Sequence, residues 1–262
     1  MNTRISAAAF AVAAFLLPIL PAHAQSSSIG FSGAELTLGH VSGDNPGTSL
    51  DASIDVSITA HHGLQLDLGV IDYGEVWFGN IAAHLYLQPS QSSKYGVFLA
   101  YSDANDTEAG TTEIGAEGIW SLTPATTLTA RAGMGRADPS EVDYLFASLG
   151  TSVALTEQFA LSGALAVVDA DEANTALTAT TLDLGLSYSL PSAPVTLYAG
   201  ASHTRISGTL QAEDTRLAVG LTAAIGGPRS ARAPASARRF APVRPLRPLL
   251  ERAMVWEFVG NR

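Results

Sequence analysis

Residues 53–60 alternate with strict period two. Ile54, Val56, Ile58 and Ala60 fall on one side, and Ser53, Asp55, Ser57 and Thr59 on the other. A helix of period 3.6 cannot present such a pattern as two unlike faces, whereas an extended strand does so automatically. The alternation recurs along the chain. Leu64, Leu66, Leu68 and Val70 oppose Gln65, Asp67 and Gly69; Ile114, Ala116, Gly118 and Trp120 oppose Glu113, Gly115 and Glu117. Leu182, Leu184, Leu186 and Tyr188 oppose Asp183, Gly185 and Ser187; Leu217, Val219, Leu221 and Ala223 oppose Arg216, Ala218, Gly220 and Thr222. The pattern predicts about twelve strands, near 28–41, 51–60, 63–72, 76–88, 94–103, 111–122, 126–136, 142–154, 157–168, 177–190, 194–206 and 213–225.

The connections between these segments alternate too. His61-His62-Gly63, residues 88–93, Leu122 to Ala125, Ala154 to Glu157 and Leu190 to Pro194 form a set of short turns. Residues 41–50, 103–110, 137–142, 169–176 and 206–214 form a longer, mostly acidic set, in which Tyr73-Gly74-Glu75 is the short member. Such alternation is expected of an up-and-down antiparallel meander with two different ends, as in outer-membrane barrels with periplasmic turns and outer loops. An even strand number brings both ends of the meander to the turn side. In hydrocarbon no sheet edge can stay open, so such a meander must close.

Alternation alone does not say which face is inside. A soluble barrel or sandwich puts apolar residues inward, and a membrane barrel turns them toward lipid. Three features favour the membrane case, the first being the export signal at residues 1–24 that precedes the strands. Aromatic residues stand near strand ends, with Tyr95 and Tyr101 on one face of one segment and Trp77, Trp120 and Phe159 at the ends of others. Carboxylates stand in mid-strand at Asp55, Asp67, Glu117 and Asp183.

The flanks differ from this middle. Residues 1–24 read as a signal peptide: Arg4, an apolar stretch from Ala7 to Leu20, and Ala22-His23-Ala24 as an A-x-A cleavage site. Residues 25–225, the predicted barrel, hold 22 acids against 5 bases. Residues 226–262 hold eight arginines and five prolines, including Pro234, Pro242 and Pro245. Proline at that density excludes regular strands and a long helix, and the composition predicts a basic, disordered tail apart from the barrel. The formal net charge of −10 argues against nucleic acid as a partner. The absence of cysteine excludes a disulfide framework, a thiolate nucleophile and a cysteine zinc site.

Leu66 to Gly74 followed by Gly79 to Tyr86, with Lys94 to Phe98 and Leu217 to Leu221, resembles the small porin-like outer-membrane barrels of Gram-negative, particularly alphaproteobacterial, species. The resemblance spans about 28–225. It implies a pore for passive diffusion across the outer membrane, and a last strand ending in an aromatic residue used by the barrel-assembly machinery. Here the last strand ends Ala223-Ala224-Ile225-Gly226 instead.

Placing the polar faces inward nominates Glu35, Asp55, Asp67, Asn80, His84, Glu113, Glu117, Arg131, Asp183 and Arg216 as pore-lining residues. Six carboxylates against two arginines predict a mild preference for cations. Acidic loop residues, among them Asp103, Asp106, Glu108, Asp138, Glu141, Asp169, Asp171 and Glu172, add to it at the mouth or contact lipopolysaccharide through divalent ions. Many other inward positions are small, such as Gly150, Ser152, Ser187 and Gly200, which leaves space for water. No nucleophile motif, phosphate loop or dinucleotide fingerprint occurs, so neither catalysis nor a cofactor is expected. His61-His62 is a weak metal candidate, because adjacent strand residues point oppositely. The expected function is an outer-membrane channel for small hydrophilic solutes or ions. The alternative is a structural or adhesive barrel with an occluded lumen.

Overall fold

The computed structural model describes residues 30–247 except 44, 75, 106–108, 139–140, 173–174, 210 and 227–229. The predicted signal peptide and residues 248–262 therefore lie outside the described residues. Twelve strands are formed: β1 (Gly30–Val41), β2 (Gly47–Ser57), β3 (His62–Asp72), β4 (Trp77–Ser90), β5 (Ser93–Ala104), β6 (Gly110–Ser121), β7 (Thr126–Asp138), β8 (Val142–Ala154), β9 (Phe159–Glu172), β10 (Thr175–Ser189), β11 (Val195–Gly208) and β12 (Ala212–Ile225). Each pairs antiparallel with its sequence neighbours, and β12 pairs with β1 to close the barrel. No edge is left open, as a hydrocarbon environment requires. Ala34 pairs with Ile225, so the meander starts and ends at one rim, the rim that carries the short turns.

The inversion predicted from the sequence is present. Ile54, Leu66, Leu184 and Val219 stand on the outer face with 38%, 40%, 60% and 55% of their surface exposed. On either side of Leu66 in β3, Gln65 and Asp67 point inward and are buried at 0% and 1%. A water-soluble fold that exposed some thirty large apolar side chains in continuous stripes would aggregate, so the outer face is a lipid face. Aromatic residues mark its two borders. Trp77 and Tyr101 lie outward near the loop rim and Tyr95 and Phe159 near the turn rim. Phe159 pairs across the sheet with Tyr188, their rings 4.6 Å apart.

Inside, large rings cover glycines on nearby strands. Tyr86 lies over Gly63, its registered partner, and Tyr198 lies over Gly220 and Gly39. A Cβ at any of these glycines would run into the ring, so the small residue is what allows the tyrosine to lie flat along the wall.

The basic segment departs from its expected place. Between residues 230 and 247 it is irregular apart from a 3-10 turn at Ala235–Ala237, as the prolines dictate. It does not stand apart from the barrel: from the turn rim it enters the lumen. At the rim, the amides of Ala231 and Ser236 donate to the carbonyls of Glu157 and Gln91 at 3.0 and 3.2 Å. Deeper in, Phe240, Val243 and Leu246 are buried against inward-facing residues of the wall. The physical reason is charge: an acidic lumen is the nearest counter-charge for a tethered arginine-rich chain.

Candidate functional site

The lumen has two unlike halves. The half lined by β3–β8 carries large side chains inward: Gln65, Phe78, His84, Tyr86, Lys94, Phe98, Glu113, Glu117, Arg131, Tyr144 and Phe146. The half lined by β8–β12 and β1 carries mostly small ones, such as Gly150, Ser152, Ser162, Ala164, Ser187 and Ala218, with Tyr198 a large exception. The basic segment packs along the bulky half, and a cavity of about 830 Å³ remains along the small half.

All ten residues nominated from the sequence lie on the inward face, in two environments. Asp67, His84, Glu117 and Arg131 join one buried chain of contacts, and Asp55 joins Tyr86 and Lys94 in a second beside it. His84 sits between two carboxylates, with Nε2 3.0 Å from Asp67 Oδ2 and Nδ1 in a short contact with Glu117 Oε1. Each ring nitrogen thus faces a carboxylate oxygen. Arg131 reaches the other oxygen of Glu117 through Nε and Nη2 at 2.9 and 2.6 Å. Asp55 accepts from Tyr86 Oη and lies 3.4 Å from Lys94 Nζ. Three acids thus face His84, Lys94 and Arg131. Ionised groups this deep survive only when paired and hydrogen-bonded on most sides, and here they are. Glu113 forms a separate unit, accepting from Thr111 and Tyr144 hydroxyls at 2.7 Å each. Asn80 donates to Ser102 Oγ at 2.9 Å, and Arg216 pairs with Asp214 at 2.6 Å and reaches the Asn45 carbonyl at 2.9 Å.

Glu35 and Asp183 line the open cavity. A second cavity of about 290 Å³ lies along the same side, and Asp183, Arg244 and Arg247 line both. These charged residues therefore stand at the junction of the two spaces. Glu35 pairs with Arg239 at 3.4 Å, and Asp51 pairs with Arg244.

Several inward residues of the site were not nominated from the sequence. Lys94, Tyr86 and Asp51 share inward parity with Phe98, His84 and Asp55, so the period-two rule does place them. Phe78, Phe98, Tyr144 and Phe146 were missed because a polar lumen was expected. Their aromatic rings form an interior cluster with Val243 and Leu246, which a wholly aqueous pore would not contain. The arginines of the basic segment had no readable signal beyond their charge.

Outside the buried network, the described histidines make local contacts. Thr59 Oγ1 is 2.9 Å from His62 Nδ1, and His61 Nδ1 is 3.2 Å from the Gln88 carbonyl. His40 and His203 contact Thr48 and Thr215 hydroxyls at 3.1 and 2.9 Å. Among the described residues no cluster of three or more His, Asp or Glu is placed to hold a metal ion.

No family model matches the chain, and no curated protein sequence matches it. Solved structures do. The chain is similar to the KdgM porin at a TM-score of 0.51 and 10% identity, over 72% of this chain and 98% of that one. It is similar to the NanC porin at a TM-score of 0.52 and 10% identity, again over 72% and 98%. An outer membrane channel from Pseudomonas putida F1 matches with a TM-score of 0.53 and 10% identity, over 79% of this chain and 99% of that one. At such identity the likeness is one of fold: a porin-like outer-membrane barrel.

Proposed function

We propose that the protein is an outer-membrane channel for passive diffusion of small hydrophilic solutes and ions, conducting along the open lane beside β8–β12 and β1. The observation that supports this most is the pair of cavities, about 830 and 290 Å³, lined by small and polar wall residues and sharing Asp183, Arg244 and Arg247. The fold shared with known porins supports the location and the class of activity.

The preference for cations belongs, in this reading, to the wall. Glu35, Asp51 and Asp183 line the lane, but Arg238, Arg239, Arg244 and Arg247 line it as well. The basic segment offsets the wall's field, so the intact chain discriminates weakly between ions while the wall alone favours cations. Export through the N-terminal signal, insertion by the barrel-assembly machinery and contact with outer-membrane lipid and lipopolysaccharide belong to the same proposal.

Planar-bilayer recording of the purified full chain tests it. Stepwise currents are expected, with a reversal potential near zero in a salt gradient. Asp183→Asn is expected to shift that potential toward anions. A barrel that is folded by heat-modifiable gel migration yet silent in the bilayer overturns the channel reading. It favours the structural or adhesive one, to which the segment inside the lumen lends some support.

A further inference from the structure

The contacts between the wall and the basic segment have an unusual character. Most are made to the segment's main chain. Gln65 brackets Phe240: Nε2 donates to its carbonyl and Oε1 accepts from its amide, both at 2.9 Å. Arg131 donates to the carbonyls of Pro242 and Ala241 at 3.0 and 2.5 Å. Lys94 donates to the Arg238 carbonyl at 3.1 Å, Asn80 to the Val243 carbonyl at 3.2 Å, and Ser121 Oγ accepts from the Ala235 amide at 2.8 Å. Each of the five strands β3–β7 supplies one residue to these contacts: Gln65, Asn80, Lys94, Ser121 and Arg131.

Side chains add an anchor and charge pairs. The Phe240 ring stacks on His84 with centroids 5.6 Å apart and an interplanar angle of 10°, and Lys94 Nζ lies 4.9 Å from its centroid. Arg239 and Arg244 flank it, on Glu35 and Asp51. Main-chain bonds that hold an extended segment, one aromatic anchor in a pocket and flanking charge pairs are the elements of peptide recognition.

We propose that the inner wall of β3–β7, flanked by Glu35 of β1 and Asp51 of β2, is a binding site for an arginine-rich peptide with a central aromatic residue that runs on from a 3-10 turn, and that residues 235–244 are its tethered ligand. The segment is thereby a displaceable plug that narrows the lumen to the lane beside β8–β12. This inference does not depend on conduction.

The test uses the full chain, folded in detergent, with trypsin as the probe. The peptide bonds after Arg238 and Arg239 are open to trypsin only when the segment leaves the lumen, because the protease is larger than the barrel bore. Phe240→Ala removes the anchor. Gln65→Glu keeps an acceptor for the Phe240 amide but sets a carboxylate against the Phe240 carbonyl and Asp67. Both variants are expected to be cleaved after Arg238 and Arg239 about tenfold faster than wild type or more: Phe240→Ala loses a buried phenylalanine contact, and Gln65→Glu loses a buried hydrogen bond and sets an unpaired carboxylate beside Asp67. Heat-modifiable migration confirms in each case that the barrel is folded. A labelled synthetic peptide with the sequence of residues 230–247 is expected to bind the Phe240→Ala chain by fluorescence anisotropy. The same peptide with glutamate at 238, 239 and 244 is expected not to bind. Equal cleavage rates in folded wild type and both variants overturn the proposal, as does failure of the synthetic peptide to bind a chain whose own segment has been released. Absence of ion current in the same samples counts against the channel alone.

Discussion

A charge placed on either face of one strand tests the inversion on which the membrane reading depends. Leu184 lies near the middle of β10, is 60% exposed, and is registered with Gly163 and Ala201 on the flanking strands. Ser187, three residues on, has the opposite parity and lines the cavity of about 830 Å³. Arginine at 184 sits in hydrocarbon near the bilayer midplane, where it costs about 2–4 kcal/mol. No acidic side chain is registered beside it to reduce that cost. Arginine at 187 projects into a cavity several times its own volume and remains solvated, so it costs within about 0.5 kcal/mol, as surface changes usually do. The predicted gap corresponds to a ratio of roughly 10- to 700-fold between the two folding equilibria. Guanidinium titration in lipid vesicles, read by tryptophan fluorescence, measures both variants under one condition. A Leu184→Arg chain as stable as wild type, together with a severely destabilised Ser187→Arg chain, would refute the outward orientation of the apolar face.

Other substitutions probe the interior. Glu117→Gln weakens the partners of both His84 and Arg131, and removing one member of a buried charge network is expected to destabilise by about 3 kcal/mol in the same titration. Glu113→Gln behaves differently. Glu113 Oε2 has no hydrogen-bond partner among the described residues, while Oε1 keeps both hydroxyl donors. Replacing this carboxylate with a neutral amide is expected to be neutral or to stabilise by about 1 kcal/mol, and a loss above about 2 kcal/mol would contradict the assignment. Gly63→Val drives a branched side chain into the Tyr86 ring and, through it, loosens Asp55 and Lys94. Overpacking of this kind costs about 1–3 kcal/mol, visible as a lower temperature for the heat-modifiable gel shift.

The number of strands, their parity and the lipid-facing stripes were legible because each depends on local period two alone. Ile54, Leu66 and Leu184 announce their face through neighbours two residues away, and no long-range information is needed. The same rule nominated Glu35, Asp67, His84 and Glu117 as inward. It could not say that they meet. His84 on β4 reaches Asp67 on β3 but also Glu117 on β6, a residue 33 positions further along the chain. That contact exists because closure curves the sheet until non-adjacent strands approach across the lumen. The place of the basic segment was likewise decided by tertiary structure. Its prolines foretold an irregular chain. Its entry into the barrel follows from facts no local window contains: β12 ends at the turn rim, the lumen above it is acidic, and Gln65 and Phe240, 175 residues apart in sequence, become hydrogen-bonded partners only inside a closed wall.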